Sequence, residues 1–164
     1  MNIAERKAVL RHFLEEKRAL LLDALGHIHD EDWNRKVQTS GDEWTALHMI
    51  RHLQDAHVGL TRQTQRLLAG EQTVPRDFDI NSWNARIQHK TTRAEMSPEE
   101  ALKQLKQSHE NLLHLVESIQ DEDWDKTGWS AALQQEVDLE TFLHVIGEHE
   151  ARHAADFSAA FGRG

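Results

Sequence analysis

Phe142-Leu143-His144-Val145-Ile146-Gly147-Glu148-His149-Glu150-Ala151-Arg152-His153-Ala154-Ala155-Asp156-Phe157 is the stretch on which the reading of this chain turns. Phe142, Ile146, His149, His153 and Phe157 follow one another at spacings of 4, 3, 4 and 4. That is the period of an α-helix, so all five share one side of it. Two histidines therefore interrupt an apolar stripe one turn apart. A single histidine on such a face is usually a hydrogen-bonded core residue. Two at i and i+4 aim their rings at one point, and neutral imidazole is a good ligand for zinc, nickel or iron.

A stable site needs a third protein ligand, and it has to come from another helix. The stretch before Gly70 supplies His48, His52, Asp55 and His57. His52 lies beside Met49, Leu53 and Ala56 and can reach an interior; His48 is one turn earlier on the same side. Spacing alone leaves those two equal. His109, between Leu105 and Leu112, faces inward as a further candidate. His12, His27, His29, His89 and His114 read as surface or helix-end residues, while His57 and His144 stay open.

His149-Glu150-Ala151-Arg152-His153 also spells H-E-x-x-H, the zinc-peptidase helix in which the glutamate is the general base. That motif needs a third ligand downstream. The 11 residues that follow contain no histidine or glutamate, and Asp156 stands where the extended motif wants glycine. The match is read as accidental, although Glu150 still lies beside the pair.

Working outward, four segments carry helical periodicity. The first runs from about Asn2 to Leu25, with Leu10, Phe13, Leu14, Leu20, Leu21, Ala24 and Leu25 as its stripe. The second is expected to open on a capping box of Ser40 and Glu43 and to stop before Gly70. The third opens on Ser97-Pro98-Glu99-Glu100, and the fourth runs from near Asp138 to near Gly162. A short helical piece is expected from Ser82 to Arg93, and no strand signal competes. These features give an all-α fold, a four-helix bundle, as a single domain over residues 1–164. Asp30-Glu31-Asp32-Trp33 and Asp121-Glu122-Asp123-Trp124 echo each other, each ahead of a histidine-bearing helix. The echo suggests two related helical hairpins.

Composition narrows the function. The 164 residues contain no cysteine, which excludes disulfides, thiolate metal sites and a cysteine nucleophile and fits a cytoplasmic protein. There is no signal-peptide pattern and no apolar run of the roughly 20 residues a membrane helix needs. A net charge of −9 argues against nucleic acid. The 12 histidines far exceed ordinary usage.

Gly41-Asp42-Glu43-Trp44-Thr45-Ala46-Leu47-His48-Met49-Ile50-Arg51-His52-Leu53 resembles the second-helix signature of the DinB/YfiT-like superfamily, and Phe142 to His153 resembles its last helix. Asp77-Phe78-Asp79-Ile80-Asn81-Ser82-Trp83-Asn84 is similar to the short segment many members carry between helices two and three. The resemblance implies a four-helix bundle in a mirror variant of up-and-down topology. It implies one divalent metal ion, zinc or nickel, held by His52, His149 and His153, and so selects His52 over His48. It also implies a metal-dependent hydrolase or an S-transferase using a low-molecular-weight thiol, and a homodimer.

On that reading the substrate is a small molecule. Asp55 and Glu150 are the candidate acid–base or ligand-orienting groups, and Trp33, Trp44, Trp83 and Asn84 line the pocket. Trp124 and Trp129 read as helix-end packing. The alternatives are a bundle that binds metal or ligand without catalysis, and an interaction domain with coincidental histidines.

Overall fold

Asn2 opens the first helix: its side-chain oxygen accepts the Glu5 amide at 2.9 Å, and Glu5 returns a carboxylate oxygen to the Asn2 amide. Two otherwise orphan N–H groups are satisfied reciprocally. In the computed structural model, which describes residues 1–38, 43–87, 89–90 and 95–162, this helix is α1, Ile3–Leu25. It is followed by α2 (Ala46–Leu68), the short α3 (Ile80–Ile87), α4 (Pro98–Ser118) and α5 (Leu139–Phe161). Ser97 caps α4 by accepting the Glu100 amide at 3.1 Å, with Pro98 in the first turn. Asp138 caps α5 through the Thr141 amide at 2.8 Å. Beyond α2, Gly70 adopts a φ of +73°, the left-handed conformation that closes a helix and favours glycine.

α1 packs on α5, α2 packs on α4, and α2 also meets α5. The four long helices form the bundle, and none of those described is long and apolar enough to cross a membrane.

Four sequence expectations need correction. Strands do form: β1 (Lys36–Gln38) pairs antiparallel with β2 (Glu43–Thr45), and β3 (Thr127–Ser130) with β4 (Gln135–Asp138). Glu43 is therefore in a strand. α2 begins later, with Thr45 as its cap, and Ser40 lies outside the described residues. The inter-helix piece is α3, starting at Ile80 and ending at Ile87, and Arg93 lies outside the described residues. Leu20, placed in the α1 stripe, is 50% exposed. It stands one step of about 100° from Leu21, and Leu21 holds the inward position.

The echo noted in the sequence is structural. Each acidic tract forms a 3₁₀ turn, at Asp30–Asp32 and Asp121–Asp123, between a long helix and a hairpin that leads into the next long helix. Asp32 accepts the His29 amide at 3.2 Å and Arg35 at 2.7 Å; Asp123 accepts the Gln120 amide at 2.8 Å and Lys126 at 2.8 Å. The following helices are tied back in the same way. Ala46 N–H donates to the Arg35 carbonyl and Leu139 N–H to the Lys126 carbonyl, at 3.0 and 3.1 Å.

The core is divided. One apolar block gathers Leu21, Leu25, Met49, Leu53, Leu105 and Phe157 with their neighbours. The other gathers Leu10, Leu14, Leu112, Val116, Phe142 and Ile146 with theirs. Between the blocks each long helix contributes buried polar residues: Arg18 from α1, His57 from α2, Ser108 and His109 from α4, and Glu150 from α5.

Candidate metal centre

α2 and α5 build the site between them. At the start of α2, Thr45 Oγ1 accepts the His48 amide at 3.2 Å, and the Thr45 amide donates to His48 Nδ1 at 3.4 Å. His48 is thus spent on capping the helix. One turn on, His52 enters the interior with 5% exposure. The structure in this way separates the two histidines that spacing left equal.

Three imidazole nitrogens converge. His52 Nε2 lies 3.0 Å from His149 Nε2, which lies 3.2 Å from His153 Nε2. His153 Nδ1 sits 2.9 Å from the Asp156 carboxylate. A carboxylate only accepts, so Nδ1 carries the proton and His153 Nε2 presents a lone pair. His149 Nε2 has a single proton or a single lone pair, and it cannot complement both neighbours. Protons alone leave at least one contact uncompensated, whereas one cation satisfies all three. Ligand nitrogens at 2.0–2.1 Å from a tetrahedral ion lie about 3.4 Å apart, close to the separations here. The donor set fits a divalent ion.

The electrostatics agree. Burial pushes His52 down to about 3, and the charges of His153 and Arg152 add to it. Burial, followed by the charges of His153, His52 and Arg152, holds His149 well below the ordinary histidine range. His153 is also lowered by burial, although the Asp156 hydrogen bond pulls the other way. All three are neutral at pH 7, the state that binds metal.

Surrounding residues have distinct jobs. The Trp44 ring packs at 4.8 Å from that of His52, whose Nδ1 is a buried atom without a hydrogen-bond partner among the described residues. Packing against Trp44, then, holds His52. Trp83 Nε1 donates to Asp55 at 3.0 Å and ties α3 to α2, with Asn84 half-buried alongside. Trp33 packs against the first apolar block. Trp124 is buried beneath the Arg6 guanidinium, 4.2 Å from its ring, as helix-end packing.

Glu150 points elsewhere. One step past His149 turns it about 100° around α5, into the polar layer. There it accepts Arg18 at 2.7 Å, and His57 Nε2 lies 3.5 Å away. Burial raises Glu150 to about 7 even though Arg18 favours its charged form. His57 Nδ1 is 2.6 Å from Ser108 Oγ. Burial takes His57 to about 3 and His109 to about 4. His57, His109 and Glu150 also bring ligand-type atoms within 4.8 Å of one another. Here, however, the Arg18 guanidinium already supplies the positive charge on the shared carboxylate. His109, a metal candidate from sequence, thus belongs to this layer and not to the three-histidine cluster.

Arg18 and Asp156 were missed from sequence. A signal for Arg18 exists: it stands four residues after Leu14 and three before Leu21, an inward position on α1. Asp156, three residues after His153, is the spacing at which a carboxylate reaches a histidine on the same helix.

Comparison with known proteins agrees with this picture. A Bacillus licheniformis protein named "Putative metal-dependent hydrolase" is 24% identical over 146 residues, covering 89% of this chain and 80% of its own length. The structure of YfiT from Bacillus subtilis, described as "a probable metal-dependent hydrolase with an unusual four-helix bundle topology", superposes with a TM-score of 0.72 at 21% identity, covering 98% of this chain and 90% of that one. A mycothiol-dependent maleylpyruvate isomerase superposes with a TM-score of 0.71 at 16% identity, covering 96% of this chain and 61% of the isomerase. Those two structural likenesses establish the shared fold. The sequence model of the DinB superfamily matches residues 10–157, and the chain belongs to that superfamily.

Proposed function

We propose that the chain is a metal-dependent hydrolase of a small molecule, with one divalent ion, zinc or nickel, held by His52, His149 and His153. The observation that carries the proposal is that His149 Nε2 stands 3.0 Å from His52 Nε2 and 3.2 Å from His153 Nε2, with the ligand atoms of all three within 4.8 Å of one another. Such an ion supplies Lewis acidity toward a carbonyl and lowers the pKa of water. A set of three protein ligands leaves a coordination position for substrate or solvent, as in catalytic rather than closed structural sites.

The chain's own residues do the rest. Asp156 keeps the His153 proton on Nδ1 and orients the ring. Trp44 braces His52 and gives the site an apolar wall. Asp55, through Trp83, fixes α3 beside α2, where Trp83 and Asn84 are the residues proposed to meet substrate. Glu150, paired with Arg18, sets the rotation of α5 instead of handling protons at the ion. No protein nucleophile competes: there is no cysteine, and no serine stands in an elbow motif.

A second reading, transfer of a low-molecular-weight thiol, draws on the fold likeness to the mycothiol-dependent isomerase. A homodimer is also proposed, by analogy within the superfamily and because symmetric pairs are the commonest assemblies. Val9 and Leu20, 58% and 50% exposed on α1, offer it apolar surface.

The test begins with elemental analysis of protein purified without chelator or nickel resin; about one metal per chain is expected, and none would refute the proposal. Native, metal-stripped and His153→Ala protein are then assayed on an ester and amide panel and on an electrophile–thiol panel. Hydrolysis by native protein alone is the expected outcome. Activity confined to the thiol panel selects the second reading. Equal activity in all three proteins excludes both.

A further inference from the structure

α5 carries more than ligands on the turn that forms the metal centre. Arg152 stands three residues after His149, about 60° from it around α5 and on the side away from His153. Its side chain is exposed. The acidic residues one turn away on either side are committed elsewhere: Asp156 to His153 Nδ1 at 2.9 Å, and Glu148 to Lys17 at 3.8 Å. Among the described residues Arg152 has no hydrogen bond or ion pair. Its neighbour His149 is the one half-buried ring of the three, the other two being buried, so the guanidinium stands beside the side of the cluster that is nearest solvent. An uncompensated cation at this point runs against a chain whose net charge is −9.

We propose that Arg152 anchors an oxyanion of the substrate, so that the centre acts on anionic small molecules, carboxylates or phosphoryl compounds, and discriminates against their neutral counterparts. The inference rests on the three-histidine metal reading and names the substrate class for it. The chemistry suits arginine. Its planar fork donates two parallel hydrogen bonds to a carboxylate or phosphoryl group, a geometry lysine cannot reproduce. One end of a small dianion would occupy the guanidinium while its other end faces the three nitrogens. In an acidic protein, the local cation also offsets the repulsion such a ligand meets on approach.

The experiment uses the full chain loaded with Co(II), whose visible spectrum reports ligands entering its coordination sphere. Native, Arg152→Gln and Arg152→Lys proteins are titrated with succinate, methylphosphonate and neutral succinamide. Native protein is expected to bind succinate or methylphosphonate. Arg152→Gln should weaken that binding about tenfold or more, the loss of one charge-assisted contact. Arg152→Lys should recover part of it, and the response to succinamide should be the same in all three. The anion held more tightly by native protein identifies the source as carboxylate or phosphoryl.

Equal anion affinity in native and Arg152→Gln protein overturns the proposal. So does a Co(II) spectrum that no anion perturbs, or an equal loss of succinamide binding in the variant. Each of those results leaves the metal reading standing. A chain that takes up no Co(II) removes both.

Discussion

Arg18→Met takes the guanidinium out of the polar layer and leaves the Glu150 carboxylate among His57, Ser108 and apolar neighbours. The two partners are 5% and 2% exposed and 2.7 Å apart, so neither can recruit bulk water in its place. Removing one member of a buried ion pair costs about 3–5 kcal/mol, chiefly because the survivor is left charged in a poor solvent. Glu150 has a partial escape. Its carboxyl already sits near 7 with Arg18 present, and losing Arg18 removes an interaction that favours ionisation. At pH 7 it therefore protonates, which places the cost near the lower end, about 3 kcal/mol. For a chain of this length that corresponds to a fall in Tm of about 6–12 °C.

The pH dependence has a sign. The penalty should shrink as pH falls below 7, where Glu150 is neutral in the variant without further work, and grow above it. The double variant Arg18→Met, Glu150→Leu removes both charges and should recover most of the stability. Urea denaturation with chelator present, at pH 6, 7 and 8, reads these values without a metal contribution. A single-variant loss below about 0.5 kcal/mol, or a double variant less stable than Arg18→Met, would refute the account of the layer.

Other consequences follow from the same geometry. Asp156→Asn removes the acceptor that fixes the His153 proton on Nδ1 and should weaken metal affinity about 10–100-fold, measured by competition with a chromogenic chelator; unchanged affinity would deny Asp156 that role. In metal-free protein, His52, His57 and His109 have folded pKa values of about 3, 3 and 4, below the unfolded value, so between pH 6.5 and 4.5 the unfolded chain binds protons that the folded chain does not. Stability should fall with falling pH across that window. Glu150, raised to about 7, acts in the opposite direction and offsets one histidine. The net slope is about 1–3 kcal/mol per pH unit in urea melts, and a flat profile would contradict the burial of these rings.

The long helices were legible because each combines a cap, a 3.6-residue apolar period and a stop, as Ser97-Pro98 and the Leu105, Leu112, Val116 stripe show for α4. The hairpins were not. β1 and β2 have three residues each, too few for alternation to rise above a loop, and Glu43 followed a serine at the spacing of a helix cap. His149 and His153 were readable as a pair because one helix fixes both. His52 and His48 differ only in whether the ring is used by the N-cap at Thr45, and that is decided by where the helix begins. Glu150 was placed beside the ligands by its number in the chain, yet adjacent residues on a helix diverge by about 100°. Its partner, Arg18, is 132 residues away, so nothing local could pair them.

The division of the core by a charged layer has a consequence for how the helices may slide. Apolar stripes tolerate translation by one turn, since leucine meets leucine again about 5.4 Å further on. Arg18 and Glu150 do not: the same slip of α5 along α1 would leave each charge facing one of the apolar blocks. It would also carry His149 and His153 about 5.4 Å from His52, beyond the reach of any shared ion. The layer therefore acts as a key for helix alignment. The alignment it enforces is the one in which the three histidines meet.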